Sequence, residues 1–304
     1  MKLDIYKMKN IFTFILLSVL IGGLSNSFCQ TNVSGNYFTN QTWSLAGNPY
    51  VVTGNIIIPI GVTLTIQPGV EIENSGNFTI TISGNLIANG NSTLPITSNG
   101  GTIMFRKTNL ANSQISYFNS IGTSIQLADE SEFYQDNPQN SDTLQISNSI
   151  FTNANLRTKG YQTTAALKIS NSTISNSTVT GYYPRSEPII FNDCQINNSS
   201  ISSEAYNYGI RFNNSIVNNT SLSISGCGGN MQFYYSTLLN SSFGSGYGCQ
   251  GEGYLLMNNS KVINTSIASI KSTNIQNCIF KYHSDITLNL GSTTIFKFQL
   301  YWEL

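Results

Sequence analysis

The chain is 304 residues long and carries 14 basic and 14 acidic side chains, for a formal net charge of zero. Charged residues make up 9% of it, far below the usual quarter, so nothing here would hold a nucleic acid electrostatically. The lone histidine, His283, argues against a histidine-centred triad or a histidine-rich metal site.

Residues 1–29 read as a signal peptide. Lys2, Lys7 and Lys9 precede an apolar run from Ile11 to Leu24, and small polar residues follow to Cys29 and Gln30. That run is short for a membrane span, so cleavage is expected near Cys29–Gln30. Lipidation of Cys29 is the alternative, although Asn26-Ser27-Phe28 makes a poor lipobox. No second hydrophobic segment follows. The mature chain is therefore expected to be exported (secreted, at the cell surface or periplasmic) with no transmembrane segment.

Residues 30–54 are expected to form an N-terminal cap, with Trp43 covering the first open coil, because a bare parallel edge invites aggregation. From Asn55 to Thr97 come short alternating runs: Ile56-Ile57-Ile58, Gly61-Val62-Thr63-Leu64-Thr65-Ile66-Gln67-Pro68-Gly69-Val70, Phe78-Thr79-Ile80-Thr81-Ile82, Gly84-Asn85-Leu86-Ile87-Ala88-Asn89-Gly90 and Leu94-Pro95-Ile96-Thr97. Gly61 and Pro68-Gly69 punctuate strands as turns. Over this stretch the order resembles the N-terminal rungs of secreted right-handed parallel β-helix proteins of the pectin-lyase-like fold, common among Bacteroidetes-like surface and secreted proteins. The resemblance implies the fold and no particular activity.

Leu110–Ile115 looks like an irregular copy of the repeat that follows. An acidic cluster comes next, Asp129, Glu130, Glu132, Asp136 and Asp142, without the glycine and paired spacing of a calcium loop; it reads as a solvated excursion.

Between Leu144 and Tyr282 one unit recurs seven times. Its first column is Ile146, Ile169, Phe191, Phe212, Phe233, Met257 and Ile275, set at nearly even steps. Three residues on stand Ser149, Ser172, Cys194, Ser215, Ser236, Ser260 and Cys278, then an apolar column from Phe151 to Phe280. Next come six asparagines, Asn153, Asn176, Asn198, Asn219, Asn240 and Asn264, and then Leu156, Val179, Ile201, Leu222, Phe243 and Ile267. A period of about 22 residues marks a solenoid, and alternation over four or five residues is strand periodicity, so each coil holds three short strands. Stacked coils turn each column into a row: apolar rows inside, small side chains where space is tight, and asparagine amides laddering from coil to coil in turns that tolerate a left-handed backbone. The expected fold is an all-β, right-handed parallel β-helix over 55–290, with 291–304 a C-terminal tail or cap.

Cys227 and Cys249, one repeat apart in matching glycine-rich turns, are expected to form a disulfide between neighbouring coils. Cys194 and Cys278 lie four coils apart and read as small core residues. Enzymes of the resembled fold include polysaccharide lyases, which combine calcium-binding aspartates with an Arg or Lys base on one strand face. The outward row Gln145, Lys168, Ile190, Arg211, Gln232 and Leu256 contains Lys168 and Arg211, with Asp193 and Glu187 as the nearest acids. No carboxylate pair of the kind hydrolases need stands on the repeat strands. Lys168 and Arg211 read as solvated surface, with a catalytic role as the alternative.

Tyrosines gather before the first strand of each coil: Tyr161, Tyr182, Tyr183, Tyr206, Tyr208, Tyr247 and Tyr254. They either pack over the coil edge or form a row on which sugar rings stack. The expectation is a monomeric, non-enzymatic scaffold, adhesin-like or contacting an extracellular polysaccharide or cell-surface glycan, with no metal and no cofactor. The alternative is a polysaccharide lyase or glycoside hydrolase.

Overall fold

The computed structural model describes residues 30–106, 110–127, 143–163, 166–184, 189–204, 209–225, 230–245, 254–270, 272–281, 284, 286–288 and 294–298. The leader at 1–29 and the acidic cluster from Asp129 to Asp142 lie outside them. The strands join in one continuous sheet in which strand partners are parallel, wound as a right-handed β-solenoid. Among the described residues the helical pieces are two 3-10 turns, Leu45–Gly47 and Leu110–Asn112.

Each full coil contributes a strand to each of three faces. In one coil these are Ala166–Ser170, Thr173–Ser175 and Thr178–Pro184; in the next, Ile189–Asn192, Gln195–Asn197 and Ser200–Glu204. Like residues pair with like on all three faces: Ile169 with Phe191, Ile174 with Ile196, Val179 with Ile201. Neighbouring strands sit about 4.8 Å apart, so a sequence column becomes a file of stacked side chains. The first-face file runs Trp43, Ile66, Ala88, Ile115, Ile146, Ile169, Phe191, Phe212, Phe233, Met257 and Ile275. These side chains are buried and belong to one apolar core.

The file reaches further towards the N-terminus than the sequence columns suggest. Within 30–54, Thr31–Asn36 pairs in parallel with Tyr50–Ile58, and Gln41–Trp43 pairs with Thr63–Ile66. Trp43 is buried in the first-face file and stacks on Tyr50, ring centroids 4.9 Å apart.

Two of the three corners are tight and identical. At each, one residue with φ between 47° and 55° precedes a buried small side chain. Asn148, Asn171, Asp193, Asn214, Tyr235, Asn259 and Asn277 occupy the first corner; Asn153, Asn176, Asn198, Asn219, Asn240 and Asn264 occupy the second. Asparagine predominates because it enters the left-handed region at lower energy than other residues with a Cβ. The second-corner amides lie exposed in one file, and their side-chain ladder is discontinuous. Asn219 donates to Asn198 and Asn264 to Asn240, both at 2.8 Å, while Asn240 donates to Asn218, outside the file, at 3.2 Å.

The more regular ladder is made of hydroxyls, interrupted at the first corner by the thiols of Cys194 and Cys278. At the first corner Ser215 Oγ donates to its own coil's Asn213 carbonyl (2.9 Å) and accepts from the Cys194 N–H of the preceding coil (3.1 Å). Ser149, Ser172, Ser236 and Ser260 each donate back two residues in the same way. A second buried column, Ser177, Ser199, Thr220, Ser241 and Thr265, repeats the device at the second corner. These small side chains satisfy corner N–H groups that the strand ladders cannot reach.

Near the N-terminal end the packing exchanges sites. Ile96 and Phe118 fill the corner position that later coils give to Ser149, while Ser98 and Ser120 hold the strand position later given to Phe151. Volume per coil is thereby kept, as a close-packed interior requires.

Candidate functional site

The outward row of the first face is Gln145, Lys168, Ile190, Arg211, Gln232 and Leu256, in consecutive register. Lys168 and Arg211 therefore stand two coils apart with Ile190 between them. Arg211 is engaged: its Nε–H donates to Gln232 Oε1 at 3.0 Å, and its guanidinium lies 5.7 Å from the Tyr234 ring centroid. Asp193 sits exposed at the neighbouring corner, where its carboxylate accepts from Asn214 Nδ2. Glu187 lies outside the described residues. No group of three His, Cys, Asp or Glu side chains that could hold a metal ion occurs among the described residues. The row itself presents two cations, an apolar spacer and amides, with no acid among its members.

The tyrosine positions share one edge. From Leu144 to Leu156, Leu167 to Val179, Ile189 to Ile201, Ile210 to Leu222, Met231 to Phe243 and Leu255 to Ile267 the chain always advances by the same number of positions, through two fixed corners. All variation in repeat length therefore falls at the third corner, between the third face and the next first face. Tyr161, Tyr182 and Tyr183 lie on third-face strands leading into it, and Tyr254, 45% exposed, opens a first-face strand leading out. Tyr206, Tyr208, Tyr247 and His283 lie outside the described residues, as do Cys227 and Cys249, so the expected disulfide has no counterpart among them.

Cys194 and Cys278 are free and buried. Burial pushes the Cys194 thiol up to about 11, against a lowering effect of the Ser172 and Asn192 backbone, and raises Cys278 against that of the Ser260 and Gln276 backbone. At pH 8 only about a thousandth of Cys194 is thiolate, the form that alkylates. Peptide mapping after brief iodoacetamide treatment is expected to find Cys194 unmodified in the folded chain and fully modified in denaturant.

A concavity of the described surface lies on the second face, away from both of these features. It encloses about 360 Å³ and is lined by two outward rows, Glu71, Thr97, Asn119 and Ile150, and Glu73, Asn99, Ile121 and Thr152. Glu71 and Glu73 are the only charged residues between Gln30 and Phe105. Both belong to the short strand Glu71–Asn74, where alternate residues share a face, so both carboxylates face outward at one end of the concavity. At the other end Ile121 is 60% exposed and Ile150 is 45% exposed. Asn99 and Asn119 stand between.

This arrangement escaped the sequence reading because its residues belong to four successive coils whose spacing is uneven. The row passes from Glu71 to Thr97, Asn119 and Ile150, and no two of those steps are equal in length. The one available signal was the charge-free stretch interrupted only by the pair of glutamates. Chemically, the concavity offers an apolar patch beside carboxylate and amide groups, which suits a ligand with a hydrocarbon face and hydroxyl edges.

No family model, no curated protein and no solved structure matches the chain.

Proposed function

We infer that the chain is an exported, non-enzymatic β-solenoid scaffold that contacts an extracellular polysaccharide or a cell-surface glycan, in the manner of an adhesin. The observation carrying this reading is the second-face concavity, where two carboxylates in an otherwise uncharged stretch meet exposed isoleucines across a row of amides. A sugar ring has an apolar C–H face and a rim of hydroxyls. Carboxylates accept strong charge-assisted hydrogen bonds from such hydroxyls, and asparagine both donates and accepts. Like charges disfavour a uronate next to Glu71 and Glu73, so neutral chains fit best. Tyr254, exposed where a first-face strand begins, offers a second contact, and Tyr182, Tyr183, Tyr206, Tyr208 and Tyr247 are proposed to extend it. The basic and apolar leader at 1–29 supports export.

The purified protein, screened against a panel of neutral and acidic polysaccharides, is expected to bind a neutral chain without cleaving it. Glu71→Ala with Glu73→Ala should weaken binding by about tenfold or more, given roughly 1.5–3 kcal/mol for a hydrogen bond to a charged group. Tyr206→Ala with Tyr208→Ala should weaken it less. Release of unsaturated sugars from a polyuronate, lost on replacing Lys168 or Arg211, would establish the lyase reading instead.

A further inference from the structure

The N-terminal end of the solenoid is built unlike the rest. Among the described residues Thr31–Asn36 and Gln41–Trp43 have a strand partner on one side only, whereas the next first-face strand, Thr63–Ile66, is paired on both. An edge of unpaired N–H and C=O groups is a template for another chain, and soluble proteins guard such edges with lysine, proline or inward-pointing charge. Of these, lysine, proline and charge are missing here, although Gln41–Trp43 is short and Thr31–Asn36 carries a register shift between Val33 and Gly35. No residue from Gln30 to Val70 is charged, and Pro49, Pro59 and Pro68 all stand outside the two edge strands. The same end gathers exposed apolar side chains: Phe38 is 80% exposed, Ile60 is 74% exposed, and Leu45 and Ile57 are also open. Phe38 and Ile60 occupy the third corner in successive coils, each between a third-face strand and the next first-face strand.

From this geometry we propose that the N-terminal edge is a self-association surface, and that what covers it is the same edge of a second copy across a two-fold axis. Two identical uncharged edges approach without Coulombic repulsion, whereas a strongly charged partner would find no complementary field to steer it. The isologous contact pairs edge strands antiparallel and lets the Phe38 and Ile60 patch of each copy be covered by the other. This proposal rests on the export reading, in which cleavage near Cys29–Gln30 removes the leader from the edge. A coil face of four or five residues spans about 15 Å, so the end offers a few hundred Å² per partner, below the standard size and in the range of weak, transient contacts. The dimer is accordingly weak.

Sedimentation velocity on the exported protein, its N-terminus fixed by mass spectrometry, tests this from about 1 to 100 µM. The wild type is expected to pass from one chain mass to two. Thr42→Lys and Phe38→Lys, both at exposed positions, are expected to stay at one chain mass throughout with unchanged circular dichroism. A wild type that keeps one chain mass over the whole range, or a dimer that persists in both variants, overturns the proposal.

Discussion

Replacing Phe212 with alanine is expected to destabilise the solenoid by about 3–5 kcal/mol, the range for deleting a fully buried aromatic side chain. Phe212 is the middle ring of a stack, 5.1 Å from Phe191 at an interplanar angle of 15° and 4.7 Å from Phe233 at 3°. The ring separation matches the strand spacing because the strand ladders on either side impose it. Those ladders also stop the hole from closing. The coils above and below are each held by their own hydrogen bonds and cannot move together to fill the space, so both the transfer energy and the cavity penalty are felt in full. In a stack where each coil touches only its neighbours, a defect in the middle also weakens the coupling between the two halves. Urea unfolding of the variant should shift to lower denaturant and lose its single transition, while Phe212→Leu should cost only about 1.5 kcal/mol. A loss below about 1 kcal/mol for the alanine variant would mean that the ring is not packed as described.

Gly84→Ala is the second large effect. Gly84 turns the chain from the third-face strand Thr79–Ile82 into the first-face strand Asn85–Asn89. Around it the chain hugs the preceding coil: the Ser83 and Gly84 N–H groups both donate to the Ile58 carbonyl, and the Asn85 N–H donates to Val62. A Cβ on residue 84 would be driven into the backbone carbonyls of Val62 and Pro59. Its backbone is not left-handed, so the requirement is for closeness and not for conformational freedom. The Val62 carbonyl is held by the Asn85 N–H and the Pro59 carbonyl by the Val62 N–H, so neither can swing aside freely, and a loss of about 3 kcal/mol or more is expected, at the upper end for overpacking. Thermal unfolding measures it, and Gly244→Ala serves as control, since a Cβ at that position meets nothing within 4 Å. Equal melting temperatures for the two variants would contradict the tight corner.

Much of this architecture could be read from the letters alone. The apolar columns beginning at Ile146, Phe151 and Leu156 became three files because strand pairing turns any constant offset into a vertical stack. The asparagines were harder. A repeated Asn invites a ladder of amides, yet what the corner needs first is a residue that enters the left-handed region with a Cβ attached, and the amide bonds follow only where neighbours happen to align. That requirement is also met at the first corner, where Asp193 and Tyr235 interrupt the asparagines and disguise the column. The second hydroxyl column was hidden for a similar reason: Ser177, Thr220 and Thr265 look like filler in a chain rich in serine and threonine, and only their burial and their bonds to corner N–H groups set them apart. The second-face concavity was beyond a periodic reading because it lies where the period fails.

The constancy of the two tight corners has a consequence for how such a chain can change. A single residue inserted between Asn213 and Ile216 would turn every later side chain of that strand to the opposite side, burying polar groups and exposing the core. An insertion between Ser225 and Asn230 enters where successive coils already differ in length, and leaves every file in place. The molecule thus separates a rigid chassis from one permissive seam, and new polypeptide grafted along that seam would be displayed in a row whose spacing is set by the coils beneath.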